Sequence, residues 1–304
     1  KNFKNTADIE INILRWWQHR IFRNSGVSAD GTEIYLDTDW LTSLQSTAYS
    51  DRITWIENAY EFIDQPGEWY LNRSESKLYY KPDGSMDGKS ATLPVTEQLL
   101  VFEGTENITF DGVKFEDTSW LTPNEIGYND AQSGTYAQHN GVWGDVPGAI
   151  ETHAAKNITI TNSELRNLGI GGIRIGNGSS DCTITNSAIH DISSSGIFIG
   201  NNTGHNHGYC DPGTDVTGVV VRNNYITRTG LDIFGSSAIC ALYTSDTVID
   251  HNEVCYTTYT GISLGWGWDW KNAPCSGNNT VSNNYIHDTG KTIHDGGSFY
   301  SLGL

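Results

Sequence analysis

The chain has 304 residues, with 18 Lys and Arg against 36 Asp and Glu, a formal net charge of −18. That balance argues against nucleic acid and anionic membranes as partners, and makes a long anionic polymer such as pectate or alginate a less natural ligand. Ten Trp and fifteen Tyr stand against one Met, a supply of ring faces suited to sugar stacking once corners and ends are filled.

Residues 1–98 carry no repeat and read as a β-rich accessory subdomain. Their apolar segments are ILRWW (13–17), TEIYLD (32–37), EWYLN (68–72) and KLYYK (77–81). In the last two, alternating strands are joined by the polar stretch 73–76, which predicts a β-hairpin.

From residue 99 to 304 one pattern recurs. NITFDGVKF (107–115), NITITNSEL (157–165), DCTITNSAI (181–189), GVVVRNNYI (218–226), DTVIDHNEV (246–254) and NTVSNNYIH (279–287) each hold two short strands around a turn. Each is followed by one of GAIETH (148–153), GGIRIG (171–176), SGIFIG (195–200), SAICAL (237–242), TGISLG (260–265) and GGSFYS (296–301). The closest-spaced members recur after 23 or 24 residues, the period of a solenoid. Alternation of apolar residues indicates strands buried on one face. A leucine-rich solenoid is disfavoured, because its Leu pattern and helical segments are absent. The expected fold is therefore all-β, a right-handed parallel β-helix with coils about 4.8 Å apart. Gly112, Asn162, Asn186, Asn224, Asn252 and Asn284 are read as equivalent turn positions forming an amide ladder.

Two insertions, 118–147 and 201–216, interrupt this register, and loops on one end of a stack commonly build a cleft. Five cysteines, Cys182, Cys210, Cys240, Cys255 and Cys275, fit no zinc template. One or two disulfides with a thiol left over are expected, together with secretion. Sequons at Asn72, Asn107, Asn157, Asn177, Asn201 and Asn278 suggest a secreted, extracellular glycoprotein. No signal peptide or transmembrane run is visible, so the chain reads as mature or trimmed. Neither end carries the polar or helical cap a solenoid needs. The expectation is that a second chain or fragment completes the β-helix.

Alignment of the later strands places Ile150, Ile173, Ile197, Ile239, Ile262 and Ser298 in one inward column. Glu151, Arg174, Phe198, Cys240, Ser263 and Phe299 then face outward. Beyond them Gly176, Gly200 and Gly265 leave either a floor for an extended ligand or relief from crowding. Glu151 lies five coils, roughly 24 Å, from Asp295, too far to share a scissile bond. Glycosidic cleavage needs two carboxyl groups about 5–9.5 Å apart, and stacking permits Asp295 with Asp269 or Asp232. Asp295, in the HDGG turn, is the first candidate. Substrate contacts are assigned to Trp266, Trp268, Tyr243, His294, Glu151, His153 and Arg174. His205 and His207 are placed there too, since two His at i and i+2 near Asp211 make a weak metal motif. No metal or cofactor is expected.

The segments 57–82, SAICALYTSDTVIDHNEVCYTTYTGISLGWGWDW (237–270) and HDGGSFYSLG (294–303) resemble right-handed β-helix glycoside hydrolases. Among these they resemble glycoside hydrolase family 141 and its relatives, which include α-L-fucosidase and xylanase activities. The resemblance runs over nearly the whole chain. It implies a cleft position for Asp295 and a role there for Trp266 and Trp268. The group's N-terminal coil and later C-terminal coils have no counterpart here. The expected function is hydrolysis of a plant or microbial poly- or oligosaccharide. Two alternatives stay open: a polysaccharide lyase or epimerase, kept alive by Arg174, and a non-catalytic carbohydrate-binding solenoid.

Overall fold

The computed structural model describes residues 3–36, 53–137, 143–201, 214–266 and 276–302. Three parallel sheets run the length of the repeat region. The first stacks Leu100–Glu103, Gly148–His153, Gly171–Gly176, Ile197–Ile199, Ile239–Ala241, Ile262–Leu264 and Phe299–Ser301. The second begins with Glu106–Asp111 and Lys156–Thr161, and the third with Lys114–Thr118 and Glu164–Leu168. The protein is an all-β, right-handed parallel β-helix.

Register follows the apolar columns. Ile150, Ile173, Ile197, Ile239 and Ile262 pair in sequence along the first sheet, and all five are buried. Leu165, Ile189, Ile226 and Val254 form the matching column of the third. The last coil is offset by one residue from the sequence alignment. Phe299, not Ser298, pairs with Ile262, and Tyr300 with Ser263.

The expected amide ladder is two adjacent columns. Asn162, Asn186, Asn223, His251 and Asn283 all have positive φ and lie exposed, with side-chain bonds such as Asn223 Nδ2 to Asn186 Oδ1 at 2.7 Å. One residue further, Ser163, Ser187, Asn224, Asn252 and Asn284 turn inward. Each accepts a bond from the backbone N–H of the coil before, and the Asn members also bond along the column. Asn162 and Asn186 thus belong with Asn223, not Asn224. An exposed amide only has to tolerate the left-handed turn, while an inward one must satisfy buried backbone.

The first residues build a separate antiparallel sheet. Glu10–Arg15 lies between Gln18–Val27 and Trp55–Glu57. The insertion after the first coil completes it: Tyr128–Gln132 pairs with Gln18–Val27, and Thr135–Ala137 and Trp143–Asp145 follow in order. Trp69–Asn72 and Lys77–Tyr80 form the anticipated hairpin. Where the insertion meets the β-helix, Tyr128, Tyr136 and Val146 join its apolar core, and polar contacts line the seam. Ser133 and Ser237 Oγ are 3.0 Å apart, and Gln132 Nε2 donates to Tyr259 Oη at 3.1 Å. Gly235 is required here, since a Cβ would lie 1.7 Å from Asp130 Oδ2.

Among the described residues Cys182, Cys240 and Cys255 are free thiols, so the expected disulfides find no support in them. Cys210 and Cys275 lie outside the described residues. The sequon residue Asn72 is buried, its Oδ1 accepting from Ser74 Oγ and Glu75 N. No described helix is long and apolar enough to cross a membrane.

The inner ladder carries a measurable load. Asn252→Ala strips a donor from the Val221 carbonyl and an acceptor from the Asn224 amide, both in buried surroundings. Urea unfolding should show a loss of about 2–4 kcal/mol. Asn223→Ala, on the exposed column, should cost about 1 kcal/mol through its left-handed turn.

Candidate functional site

The site forms where loops leave the third sheet for the first. Residues 230–238 follow Tyr225–Thr229, and residues 288–298 follow Tyr285–His287 two coils later. Both loops open with one backbone turn. The Asp232 and Ile233 amides donate to the Ser193 carbonyl at 3.1 and 2.8 Å. The Thr292 and Ile293 amides donate to that of Thr258 at 3.0 and 2.9 Å. Ile233 and Ile293 are buried anchors, so the residues beside them are held at the corner. Asp232 therefore occupies the place of Thr292, and Phe234 that of His294.

The Glu10–Arg15/Gln18–Val27 hairpin lies over both loops. His19 stacks on Phe234, ring centroids 4.8 Å apart, and on Trp55 at 5.6 Å. A chain of hydrogen bonds crosses from one wall to the other. The Phe234 amide approaches His19 Nδ1 at 3.4 Å, His19 Nε2 lies 2.8 Å from Asn12 Oδ1, and Asn12 Nδ2 donates to Glu57 Oε1 at 2.9 Å. These contacts suit a ring protonated on Nε2. Trp55 Nε1 holds the second Glu57 oxygen at 3.1 Å. On the facing loop, Ser193 Oγ donates to Asp232 Oδ2.

Glu57 and Asp232 are both exposed residues, yet enough protein surrounds their carboxyl groups to disfavour the charged form. Burial pushes Asp232 above its ordinary value, against the Ser193 bond. Burial also raises Glu57, and the negative charges of Glu10 and Asp232 push it further. Two carboxyl groups within Coulombic reach, both resisting ionisation, are an arrangement suited to acid/base chemistry. His19 is lowered to about 3 by burial, which outweighs a bond to the Asp232 backbone. It stays neutral and positions its neighbours. Beneath it Asp130, fully buried, is raised to about 8, chiefly by burial.

Further along the hairpin a recess of about 570 Å³ opens between Leu14, Arg15 and Trp16 on one side and residues 292–295 on the other. Asp295 and His294 line it, both exposed, and His294 Nδ1 bonds the Gly290 carbonyl at 2.8 Å. Asp295 and Asp232 thus face the same hairpin at successive positions.

Other sequence candidates lie elsewhere. Glu151 and Arg174 do face outward on the first sheet, but they are buried. Arg174 bonds Glu151 and Asp145, and Glu151 also takes Gln98 Nε2 at 2.8 Å and lies 3.2 Å from His153 Nε2. These ions satisfy one another instead of meeting an open surface. Tyr243 and Trp266 are likewise buried, packed with Phe198, Cys240 and Leu242. The glycine floor is covered too: a Cβ on Gly200 would sit 1.6 Å from the Leu242 carbonyl oxygen, so crowding explains that glycine. Asp269, Trp268, His205 and His207 lie outside the described residues. The sequence reading missed Glu57, His19, Asn12, Trp55 and Phe234. The only hint was that Glu57 opens the segment 57–82.

Comparison with known proteins bears on the fold. Residues 98–302 match the family described as the right handed beta helix region, and the chain belongs to that family. No curated protein matches it in sequence. A solved structure titled a glycoside hydrolase superposes with a TM-score of 0.83 at 25% identity, over 98% of this chain and 57% of the other. The chain thus spans little more than half the length of that relative. Two weaker superpositions carry no argument. One is with XylC in complex with xylose (TM-score 0.39, 13% identity, 74% of this chain and 41% of the other). The other is with an alginate lyase from Paenibacillus sp. str. FPU-7 (0.27, 16%, 65% and 73%).

The buried carboxyl sets a pH signature. Asp130 holds its proton in the folded chain up to about 8, whereas in the unfolded chain it is released near 4. Folding is favoured by this group below that lower value and loses the contribution as pH rises towards 8. His19 acts oppositely, costing stability as pH falls from 6.5 towards 3. Between pH 6.5 and 8 only the Asp130 slope remains of these two. Asp130→Asn should flatten the stability profile there by up to about 1.4 kcal/mol per pH unit, read from denaturant midpoints. An unaltered slope would show the carboxyl already ionised.

Proposed function

We propose that the protein is a glycoside hydrolase, related to family 141 and its relatives, that cleaves a poly- or oligosaccharide in the groove beneath the hairpin. The observation that carries this reading is the Glu57–Asp232 pair, one carboxyl from each wall, both resisting ionisation. Asp232, whose bond is to the Ser193 hydroxyl, gives its proton to the departing glycosidic oxygen. Glu57, fixed by the N–H donors of Asn12 and Trp55, works ionised and faces the positive charge developing at the anomeric carbon. The C–O bond breaks, water supplies the hydroxyl, and its other proton returns to the carboxyl pair.

The half-buried rings of Trp55 and Phe234 give an apolar platform for a sugar face. Asp295, His294, Arg15 and Trp16 line the next subsite along the hairpin. A neutral sugar suits the acidic groove better than a uronate. The lyase alternative loses its chief support, since Arg174 is already paired with Glu151 and Asp145. Extracellular action on plant or microbial polysaccharide fits the same chemistry.

Reducing-sugar release from fucosylated, xylan and arabinan substrates tests the reading. Asp232→Asn and Glu57→Gln should each lower kcat by about 10³-fold or more while leaving oligosaccharide binding measurable by calorimetry. Asp295→Asn should chiefly weaken binding. Full turnover in either of the first two variants would overturn the assignment, and a product absorbing in the near ultraviolet would establish a lyase.

A further inference from the structure

On the outer face of the third sheet one arrangement occurs twice. In the earlier copy Glu164 and Arg166 lie on one strand and His190 on the next, with His190 beside Arg166 in register. His190 Nε2 is 3.1 Å from Glu164 Oε1, and Nδ1 is 2.7 Å from Asp191 Oδ2. In the later copy Glu253 and Cys255 lie on one strand and His287 on the next, with His287 beside Cys255. His287 Nε2 is 3.4 Å from Glu253 Oε1, and Nδ1 is 3.0 Å from Asp288 Oδ2. The backbone and three of the four side-chain types are the same. The exception is that Cys255 stands where Arg166 stood.

That exchange changes what the site needs. In the earlier copy the carboxylate facing the histidine is neutralised from within the protein, chiefly by Lys114 Nζ at 3.2 Å, with Arg166 at 3.9 Å and itself bound to Glu116 at 2.7 Å. In the later copy a thiol replaces the guanidinium, and Glu253, Cys255 and His287 bring O, S and N donor atoms within 4.8 Å of one another. We propose that this is a binding site for a divalent transition-metal ion, zinc foremost, which supplies the positive charge that Lys114 and Arg166 supply in the copy three coils earlier.

The donor set and geometry agree with the assignment. Zinc takes His nitrogen and carboxylate oxygen at about 2.0–2.1 Å in tetrahedral array. Those lengths put two ligand atoms about 3.4 Å apart, the separation of His287 Nε2 from Glu253 Oε1. His287 is also prepared for it. Its Nδ1–H faces Asp288, which Lys291 Nζ fixes from the other side at 2.6 Å, so in that tautomer Nε2, which faces Glu253, would present its lone pair to an ion. A carboxylate behind a ligating histidine is the usual support of such a centre. Around the sulfur, Thr227 Oγ1 at 3.5 Å and Tyr225 Oη at 3.8 Å are hydroxyls able to turn and donate to a thiolate. Tyr285 stacks on the imidazole at 4.3 Å between centroids and limits its rotation. Three protein ligands leave the fourth position to water. The ion would clip two successive coils together.

Tag-free protein stripped with chelator should take up one equivalent of zinc in calorimetry, and its thermal midpoint should rise on adding the ion. Cobalt substitution should give a thiolate-to-metal charge-transfer band. Cys255→Ser should abolish the band and weaken binding at least tenfold. The exposed substitution Glu253→Gln should weaken binding with the fold intact by circular dichroism, while Cys182→Ser should bind as the parent does. Stoichiometric binding untouched by Cys255→Ser and Glu253→Gln would overturn the proposal, as would the absence of uptake by the parent protein.

Discussion

The structure depends on each coil lying in register over the last. A parallel ladder fixes the spacing between coils near 4.8 Å, and that spacing makes equivalent residues touch. The isoleucine column, the inner Ser/Asn ladder and the outer left-handed turns all follow from it. A coil's strands are three to six residues long, too short to hold their shape alone, so every local conformation leans on its neighbours. Burial is accordingly continuous along the stack.

The groove arises because this regular stack is met by something irregular. The antiparallel sheet of the first residues reaches over the coil corners, anchored by the insertion that adds Tyr128–Gln132 to it. Its contact with the stack combines apolar packing of Ile21, Tyr128, Tyr136 and Val146 with hydroxyls and the Phe234–His19–Asn12–Glu57 chain. Such a contact orients groups well. Glu57 and Asp232 come from positions 175 residues apart, and neither fold unit alone would bring them within Coulombic reach of each other. The crowding that keeps both protonated more readily than usual comes from the same meeting of surfaces.

The stack was legible in the sequence because its signal is periodic. A repeat of 23 or 24 residues reports the coil, and alternation reports the inward face. Where the period carried no distinction, the reading slipped by one residue: Asn162 was matched to Asn224 when two consecutive polar residues face opposite ways, and Ser298 stood in for Phe299. Asp232 was visible as a loop acid beside a strand. Glu57 was not, since its approach depends on a sheet assembled from segments around residues 12, 20, 55 and 129, with no repeat to align. The outward row misled for a related reason. Register places Glu151 and Arg174 correctly on the exterior of the coil, but burial there is decided by what packs over it, such as the strand carrying Asp145.

The shared turn at residues 230–233 and 290–293 makes the coil corner a socket of fixed shape. One socket presents an acid and a benzyl ring, the other a hydroxyl and an imidazole, and the backbone is indifferent to the exchange. Chemistry along the groove is therefore modular storey by storey: a new sugar preference at one position asks for two or three side-chain replacements and no redesign of the scaffold that carries them.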